Sequence, residues 1–378
     1  MKNRNAAAAL LIMVLLASAS CGNSKPNNNA VKERPSPSPA ATKQPFLSQS
    51  EELLLHYIQN RQTGEYGVFT NRLDSSQTDE VATGHEVLSE SAGLLMRYYA
   101  RKGDQASFRA EWDKARQVFD QKSGFSYRYS PKQGKRYPAN AAIDDLRIIK
   151  ALREGAEIFR NKELSNAANT YAKRFIVYNL PNGKPVDFYD EQYGTSNSFI
   201  TLCYIDLAEI GELPLSKRKG EKLDAELLAI VEDGYLSDSF PFYETRYSYD
   251  SGQYSSEGIR TVESLLTVLS LAEIGKHKEA TVQFLKQQVQ KGTLWGMYTK
   301  QGKPDSEVQS TALYAIAAMI GAMIDDWELY DDSIDRMKRF QVMDPGSELY
   351  GGFGDPATGQ AYSFDNLMAL SALSLQRY

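Results

Sequence analysis

Two kinds of apolar pattern alternate along the chain from residue 47 to its end. One kind, such as SFRAEWDKARQVFD at residues 107–120, has apolar residues at helical spacing and a charged face. The other kind, such as VESLLTVLSLAEIG at residues 262–275, is apolar on most sides. A helix with a charged face belongs on the outside of a domain, whereas a helix that is apolar all round belongs in its interior. The alternation therefore predicts an outer and an inner layer of helices.

A loop rich in Gly and aromatic residues precedes each of the more apolar stretches. One aromatic residue marks each loop, and consecutive markers lie 53 to 63 residues apart: Phe69, Phe125, Phe188, Phe242, Trp295 and Phe353. Near-constant spacing over six units is typical of stacked helical repeats. Six inner and six outer helices that alternate along the chain predict an all-α fold, the (α/α)6 barrel, with the aromatic-rich loops at one rim.

The inner helices of such a barrel run parallel, so their N-termini share the rim with the aromatic loops. Polar or acidic residues stand where the inner helices are predicted to begin: Glu90, Asp144, Asp145, Asn197, Glu257, Glu307 and Asp365. For any single position a helix cap, worth about 0.5–2 kcal/mol, is the stronger explanation. Convergence of all these positions with aromatic rings nevertheless favours a carbohydrate-binding cleft, in which two or three of the acids do chemistry.

The first 46 residues have the composition of an export signal followed by a tether. A positively charged start and an apolar run too short to span a bilayer lead through small residues to Cys21. This order resembles a bacterial lipobox and predicts a signal peptide at residues 1–20, with lipid on Cys21 anchoring the protein to the outer face of the cell membrane. A plain secretory signal that contains a cysteine is the alternative. Residues 21–46, rich in Asn, Pro and Ser, predict a disordered tether, which leaves residues 47–378 for the barrel.

Charge and composition argue against several kinds of partner. The net charge is −5, from 43 basic and 48 acidic residues, and a nucleic-acid partner would favour a basic surface. The three histidines lack metal-ligand spacing, and no Gly-rich phosphate loop occurs in the sequence, so we expect neither metal nor cofactor. Cys203, in the apolar segment FITLCYIDLAEI, is expected to be a buried small side chain. We expect a monomer that acts on a polysaccharide.

Several segments resemble glycoside hydrolase family 8. NAAIDDLRIIKALREGAEIF resembles its signature segment through Ala141, Asp145, Leu146, Ile148, Ala151, Leu152, Ala156 and Phe159. Upstream, the family's Ser-Glu-Gly segment is matched by Ser89, Glu90, Gly93, Asp104, Phe108 and Trp112. The segments YSSEGIRTVESLL and AYSFDNLMALSAL are similar to later family segments, so the resemblance covers residues 51–378. It implies an (α/α)6 barrel and an inverting enzyme that cuts β-1,4 glycans. Some members of this family accompany exopolysaccharide synthesis systems.

The resemblance also implies roles for individual residues. Glu90 matches the general acid. Ile143 stands at the place of the family aspartate that contacts the sugar at the cleavage point, and the adjacent Asp144 is expected to take over that role. Asp145 matches a second family aspartate, a structural residue or a secondary substrate ligand.

The general base is assigned to Glu257, which the resemblance aligns with the family's aspartate and which has Arg260 three residues on. Asp250, in the segment YSYDSG, also fits the family motif and is the runner-up, because its surroundings predict a hairpin tip. An inverting pair of carboxyls must stand about 6.5–9.5 Å apart to admit a water molecule. Further substrate contacts are expected from Asp145, Tyr127, Tyr193, Arg260 and Trp295.

Two other functions fit parts of the pattern. The displaced signature aspartate and the Glu-for-Asp change at the base favour a polysaccharide-binding lipoprotein that has lost catalysis. A polysaccharide lyase on a similar barrel is the second alternative. Lyases use Tyr or His with basic residues to neutralise a uronate, and the acidic rim predicted here argues against that chemistry.

Overall fold

The structure, a computed structural model, describes residues 44–78 and 80–375. The predicted signal peptide, Cys21 and most of the predicted tether lie outside the described residues. Helix α1 begins at Gln44, inside the stretch assigned to the tether. The α-helices of the described residues are α1 (Gln44–Arg61), α2 (Ser89–Arg101), α3 (Gln105–Phe119), α4 (Ala142–Ile158), α5 (Lys162–Tyr178), α6 (Leu207–Gly211), α7 (Lys217–Asp233), α8 (Thr261–Glu273), α9 (Glu279–Lys291), α10 (Thr311–Met323), α11 (Trp327–Met337) and α12 (Ser363–Leu373).

The even-numbered helices form a closed inner ring. Helix α2 packs on α4, α4 on α6, α6 on α8, α8 on α10 and α10 on α12, and α12 closes the ring on α2. Outer helices cover the ring, with α3 against α2, α5 against α4, α7 against α6 and α11 against α10. This arrangement confirms the predicted (α/α)6 barrel. In a ring of six, α8 stands opposite α2.

Short antiparallel strands occupy the connections that lead from outer to inner helices. Their bounds are β1 (Thr63–Gly64), β2 (Gly67–Val68), β3 (Val87–Leu88), β4 (Arg128–Ser130), β5 (Lys135–Arg136), β6 (Tyr189–Asp190), β7 (Thr195–Ser196), β8 (Phe199–Thr201), β9 (Tyr235–Ser237), β10 (Phe240–Tyr243), β11 (Arg246–Ser248), β12 (Tyr254–Ser255), β13 (Ile259–Arg260), β14 (Met297–Tyr298) and β15 (Pro304–Ser306). Strand β3 pairs with β4, β8 with β11 and β13 with β14, so adjacent connections are joined at the rim.

The third inner helix is shorter than the sequence predicts. The segment SNSFITLCYIDLAEIG divides into β8, a 3-10 turn at Leu202–Tyr204 and the five-residue helix α6. The first part is drawn into a strand because β8 pairs with β11, more than 40 residues later in the chain. Asp206 then starts α6 by accepting a hydrogen bond from the backbone N–H of Glu209. Cys203 is buried, as predicted.

The inner helices form much of the hydrophobic core of the barrel. Every residue from Thr311 to Gly321 of α10 is buried, which fits a helix that is apolar on all sides. Among residues 44–78 and 80–375, no helix combines the length and the apolar character needed to cross a membrane.

Candidate active site

Glu90 and Asp144 stand in the first turns of two neighbouring inner helices, α2 and α4, and share one arginine. The Nη1 atom of Arg147 lies 2.7 Å from Oδ1 of Asp144 and 3.2 Å from Oε2 of Glu90. The hydroxyl of Ser89 donates a hydrogen bond to Oδ2 of Asp144 at 3.3 Å. All four residues are buried. The structure therefore brings the predicted acid and the predicted sugar-contacting aspartate into one cluster at the mouth, the end of the barrel where the inner helices begin.

The mouth cluster, Ser89, Glu90, Asp144 and Arg147, contains two carboxyl groups but only one guanidinium group. Burial raises the pKa of Glu90, Arg147 opposes that rise, and the nearby Asp144 adds to it. Burial also raises the pKa of Asp144, against the effect of Arg147 and the hydrogen bond from Ser89. A carboxyl whose pKa is raised keeps its proton close to neutral pH and can give it to a leaving group.

These acids do not cap their own helices. The residues that precede α2, α4, α8, α10 and α12 make no side-chain capping hydrogen bond; they are Leu88, Ala141, Arg260, Ser310 and Tyr362. Side-chain caps occur instead on the short inner helix α6, through Asp206, and on three outer helices, where Asp104, Asn161 and Asp326 accept from backbone N–H groups. The capping explanation thus fits those four helices, whereas Glu90 and Asp144 direct their carboxyls to Arg147.

Close packing of α2 on α4 positions the cluster. Gly93 lies one turn beyond Glu90, and a Cβ atom built on it would stand 3.1 Å from Cβ of Arg147. That distance is tighter than ordinary van der Waals contact, so a larger residue would push the two helices apart. Gly93 therefore keeps Arg147 within reach of both carboxylates.

Asp145 has the structural role that the sequence left open for it. Its Oδ1 accepts from the backbone N–H of Phe125 at 2.9 Å, and its Oδ2 accepts from Nδ2 of Asn140 at 2.6 Å. Gly124 allows this approach, since a Cβ there would stand 2.1 Å from Oδ2 of Asp145. Both oxygens of Asp145 are therefore engaged in holding the α3–α4 connection against α4.

Three of the predicted helix starts are wrong. Glu257 lies exposed on a bend before β13, and α8 begins four residues later, at Thr261. Glu307 is exposed in the segment between β15 and α10. Asn197 is buried before β8, where its side-chain oxygen accepts from the backbone N–H of Asp187 at 3.0 Å. Around Asn197 and Glu257 the rim strands β8 and β13 occupy chain that the sequence pattern assigned to a helix, whereas residues 307–310 are irregular.

The other predicted site residues are dispersed around the rim. Asp250 lies exposed at the β11–β12 turn, the hairpin tip that the sequence predicts. Tyr127 is buried against Tyr137 at the rim, whereas Tyr193 is 62% exposed at the turn between β6 and β7. Arg260 and Trp295 are half-buried and lie near each other, because the backbone oxygen of Trp295 accepts from the hydroxyl of Thr261.

Most of the aromatic loop markers do not line an open cleft. Four of them are buried in the core: Phe125, Phe188, Phe242 and Phe353. A short hairpin buries too little surface to hold its place alone, so each of these rings anchors its connection to the helices. The expectation that these four rings face the substrate is therefore wrong, while Trp295 remains partly accessible.

The sequence reading missed three charged residues at the mouth. Arg147 follows Asp144 by three positions, a spacing that places an ion pair on one helix face. Asp187 accepts from the backbone N–H of Thr201 at 2.8 Å and from its hydroxyl at 2.6 Å, and burial raises its pKa to about 6. Glu263, in the first turn of α8, is only 7% exposed, and burial raises its pKa to about 6 as well.

Metal chemistry has no candidate site in the part of the chain that the structure describes. No group of three or more His, Cys, Asp or Glu side chains there could hold a metal ion.

Comparisons with known proteins bear on the fold and the family of the chain. A structure described as a novel α-amylase from Clostridium perfringens is 30% identical, covers 87% of this chain and 98% of its own, and superposes with a TM-score of 0.80. The chain belongs to the same family of glycoside hydrolases as this α-amylase. No family model matches the sequence.

Two further relatives extend the comparison. YdaJ of Bacillus subtilis (strain 168), which its name suggests is a lipoprotein, is 27% identical over 322 residues, covering 82% of this chain and 86% of the relative. An endoglucanase of Klebsiella pneumoniae, a family 8 glycosyl hydrolase, is 14% identical with a TM-score of 0.57 over 85% of this chain and 98% of its own. The structural neighbours are thus enzymes of the family 8 type, and at that identity the family 8 endoglucanase shares the fold.

Proposed function

We propose that the protein is an inverting glycoside hydrolase that cuts a polysaccharide outside the cell. The observation that carries this proposal is the buried cluster of Glu90, Arg147 and Asp144 at the barrel mouth. Kinship with a glycoside hydrolase, the C. perfringens α-amylase, supports the same chemistry.

Each residue of the cluster has a distinct role in the proposed reaction. Glu90, kept protonated by burial and by Asp144, gives its proton to the glycosidic oxygen as the bond breaks. Asp144, to which Arg147 and Ser89 both donate, accepts a hydroxyl of the sugar at the cleavage point. Arg147 fixes the positions of both carboxyls.

An inverting reaction also needs a second carboxylate on the opposite side of the sugar. Glu257, the aligned residue, and Asp250, the runner-up, remain predictions for that role. Both are exposed on the connection between α7 and α8, so they would have to close over a bound substrate.

Two classes of substrate have support. The resemblance to family 8 favours a β-linked polysaccharide, such as β-1,4 glucan, a chitosan-like polymer or an exopolysaccharide. The relative of 30% identity is described as an α-amylase, which favours an α-linked glucan as the second candidate. A lipid on Cys21 and the tether would hold the barrel at the outer face of the membrane, and the name of YdaJ supports that placement.

The test is to incubate the wild type and Glu90→Gln with soluble β-glucans, chitosans, xylans, α-glucans and bacterial exopolysaccharides. We expect new reducing ends from one class with the wild type and none with the variant. Binding without cleavage by the wild type would favour the polysaccharide-binding lipoprotein. Products with unsaturated, ultraviolet-absorbing ends would establish the lyase instead.

A further inference from the structure

Glu263 differs from Asp187 and Asp365, two other buried acids at the mouth, in having a buried oxygen with no partner. Asp187 is engaged with Thr201, and Asp365 accepts from the backbone N–H of Ala312 at 2.8 Å. Among the described residues, Oε2 of Glu263 is buried without any hydrogen-bond partner. A buried polar atom left unpaired is unfavourable by about 1–3 kcal/mol, so such an atom calls for a ligand or a water molecule.

An unpartnered donor accompanies this acceptor. Nε of Arg246 is also buried without a hydrogen-bond partner in the described part of the chain. Burial raises the pKa of Glu263 to about 6, and Asp187 adds to that rise, whereas Arg260, Arg246 and a hydrogen bond from the side chain of Thr245 to the carboxyl oppose it. Glu263 is therefore mainly ionised at neutral pH, and a water molecule could donate to it while accepting from Arg246.

The position of Glu263 in the ring is as important as its bonding. Glu90 is the second residue of α2 and Glu263 the third of α8, and these two helices stand opposite each other. Neighbouring helix axes about 8–10 Å apart place opposite axes of a hexagon about 16–20 Å apart. Two inward-pointing glutamates would take up roughly half of that span, which leaves room for one sugar bond and one water molecule, as inversion requires.

We propose that Glu263, rather than Glu257 or Asp250, is the general base, and that Arg246 positions the attacking water. This inference rests on the proposed hydrolase function. The water oxygen bonds to the anomeric carbon as one of its protons passes to Glu263. The bond from that carbon to the glycosidic oxygen breaks, and this oxygen takes the proton of Glu90. Solvent then restores both carboxyls to their starting states.

The test compares Glu263→Gln, Glu263→Ala and Glu257→Gln with the wild type on the glycan that the wild type cleaves. Glu111→Gln is the matched control, because Glu111 is also 7% exposed but lies on the outer helix α3. We expect both Glu263 variants to lose about 10³-fold in kcat, and Glu111→Gln to keep wild-type activity. Circular dichroism and Tm establish that each variant is folded.

Azide separates a base from a structural residue. Azide needs no deprotonation, so it should restore turnover in Glu263→Ala and give a glycosyl azide of inverted configuration. Two results would overturn this inference while leaving the hydrolase proposal intact. One is a Glu263→Gln variant that is folded and fully active. The other is a Glu257→Gln variant that loses as much activity as we expect for Glu263→Gln and is rescued by azide. If the wild type cleaves no glycan, the hydrolase proposal fails and this inference fails with it.

Discussion

The barrel interior carries charged clusters at two depths, and they are built in opposite ways. About two to three helical turns along α2, α4 and α8 from the mouth lies a second cluster, the floor. It is made of Arg97, Arg101, Lys150, Glu154, Asp206 and Glu273. Arg97 binds both oxygens of Glu154, with the shortest distance 2.7 Å, and Lys150 lies 2.6 Å from Glu273 and 3.3 Å from Asp206. Three cations thus face three carboxylates, whereas at the mouth one arginine serves both Glu90 and Asp144.

This difference in balance changes the protonation of the two clusters. Burial would raise the pKa of Glu154, but Arg97 and Arg101 hold it below its usual value. The ion pairs of the floor join α2, α4, α6 and α8. At the mouth, burial prevails over Arg147 and the pKa of Glu90 is raised. An equal number of opposite charges fixes structure, while an excess of buried acid provides an exchangeable proton.

The largest expected effect is the loss of turnover in Glu90→Gln. An amide has no proton to give the leaving oxygen, so kcat should fall by about 10³-fold while the Tm stays within a few degrees of the wild type. Initial rates on the cleaved glycan, with Tm measured in parallel, check this. Unchanged turnover would remove Glu90 from the acid role.

The floor should behave in the reverse way. Arg97→Met leaves the half-buried Glu154 without its main partner, and we expect the free energy of unfolding to fall by about 2 kcal/mol. Denaturant titration measures this change, and kcat at a temperature where the variant is folded should be within about twofold of the wild type. A large loss of kcat in folded protein would mean that the floor takes part in catalysis.

Arg147→Met should shift the pH dependence of the reaction. Arg147 lowers the pKa of Glu90, so its removal lets that pKa rise further, and the acid stays protonated to higher pH. We expect the alkaline limb of the kcat profile to move upward by about one pH unit, with kcat reduced because both carboxyls lose their anchor. A downward shift of that limb would contradict the assigned electrostatics.

The smallest effect concerns stability. Because the pKa of Glu90 is higher in the folded than in the unfolded chain, the folded protein binds the extra proton, and its stability falls as pH rises through that folded pKa. Glu90→Gln lacks this loss, so its advantage in stability over the wild type should grow between pH 5 and pH 8. Urea titrations at the two pH values measure it, and an advantage that shrinks with pH would exclude a raised pKa.

The alternation of charged and apolar helices was enough to predict the barrel, because each helix carries its own burial pattern. The start of α8 was misplaced because β13 pairs with β14, about 40 residues later, and no local pattern reveals that pairing. For the same reason the sequence pattern predicted a helix where the chain forms β8, at the start of the third inner segment.

For the site, the resemblance to family 8 located Glu90 and Asp144, and the structure joined them through Arg147. The i, i+3 spacing from Asp144 to Arg147 was visible in the sequence, but the contact to Glu90 depends on how α2 packs against α4. The missing partner of Glu263 is a property of the folded surroundings and has no trace in the local sequence.

The most direct test of the account is the stereochemistry of the first product, followed by NMR while the wild-type protein cleaves its glycan. In the proposed arrangement the two carboxyls face each other across the mouth, and a water molecule lies between the sugar and the base. This arrangement predicts that the new reducing end first appears with the anomeric configuration opposite to that of the bond that was cut. A product that first appears with the configuration of the original bond would contradict this arrangement.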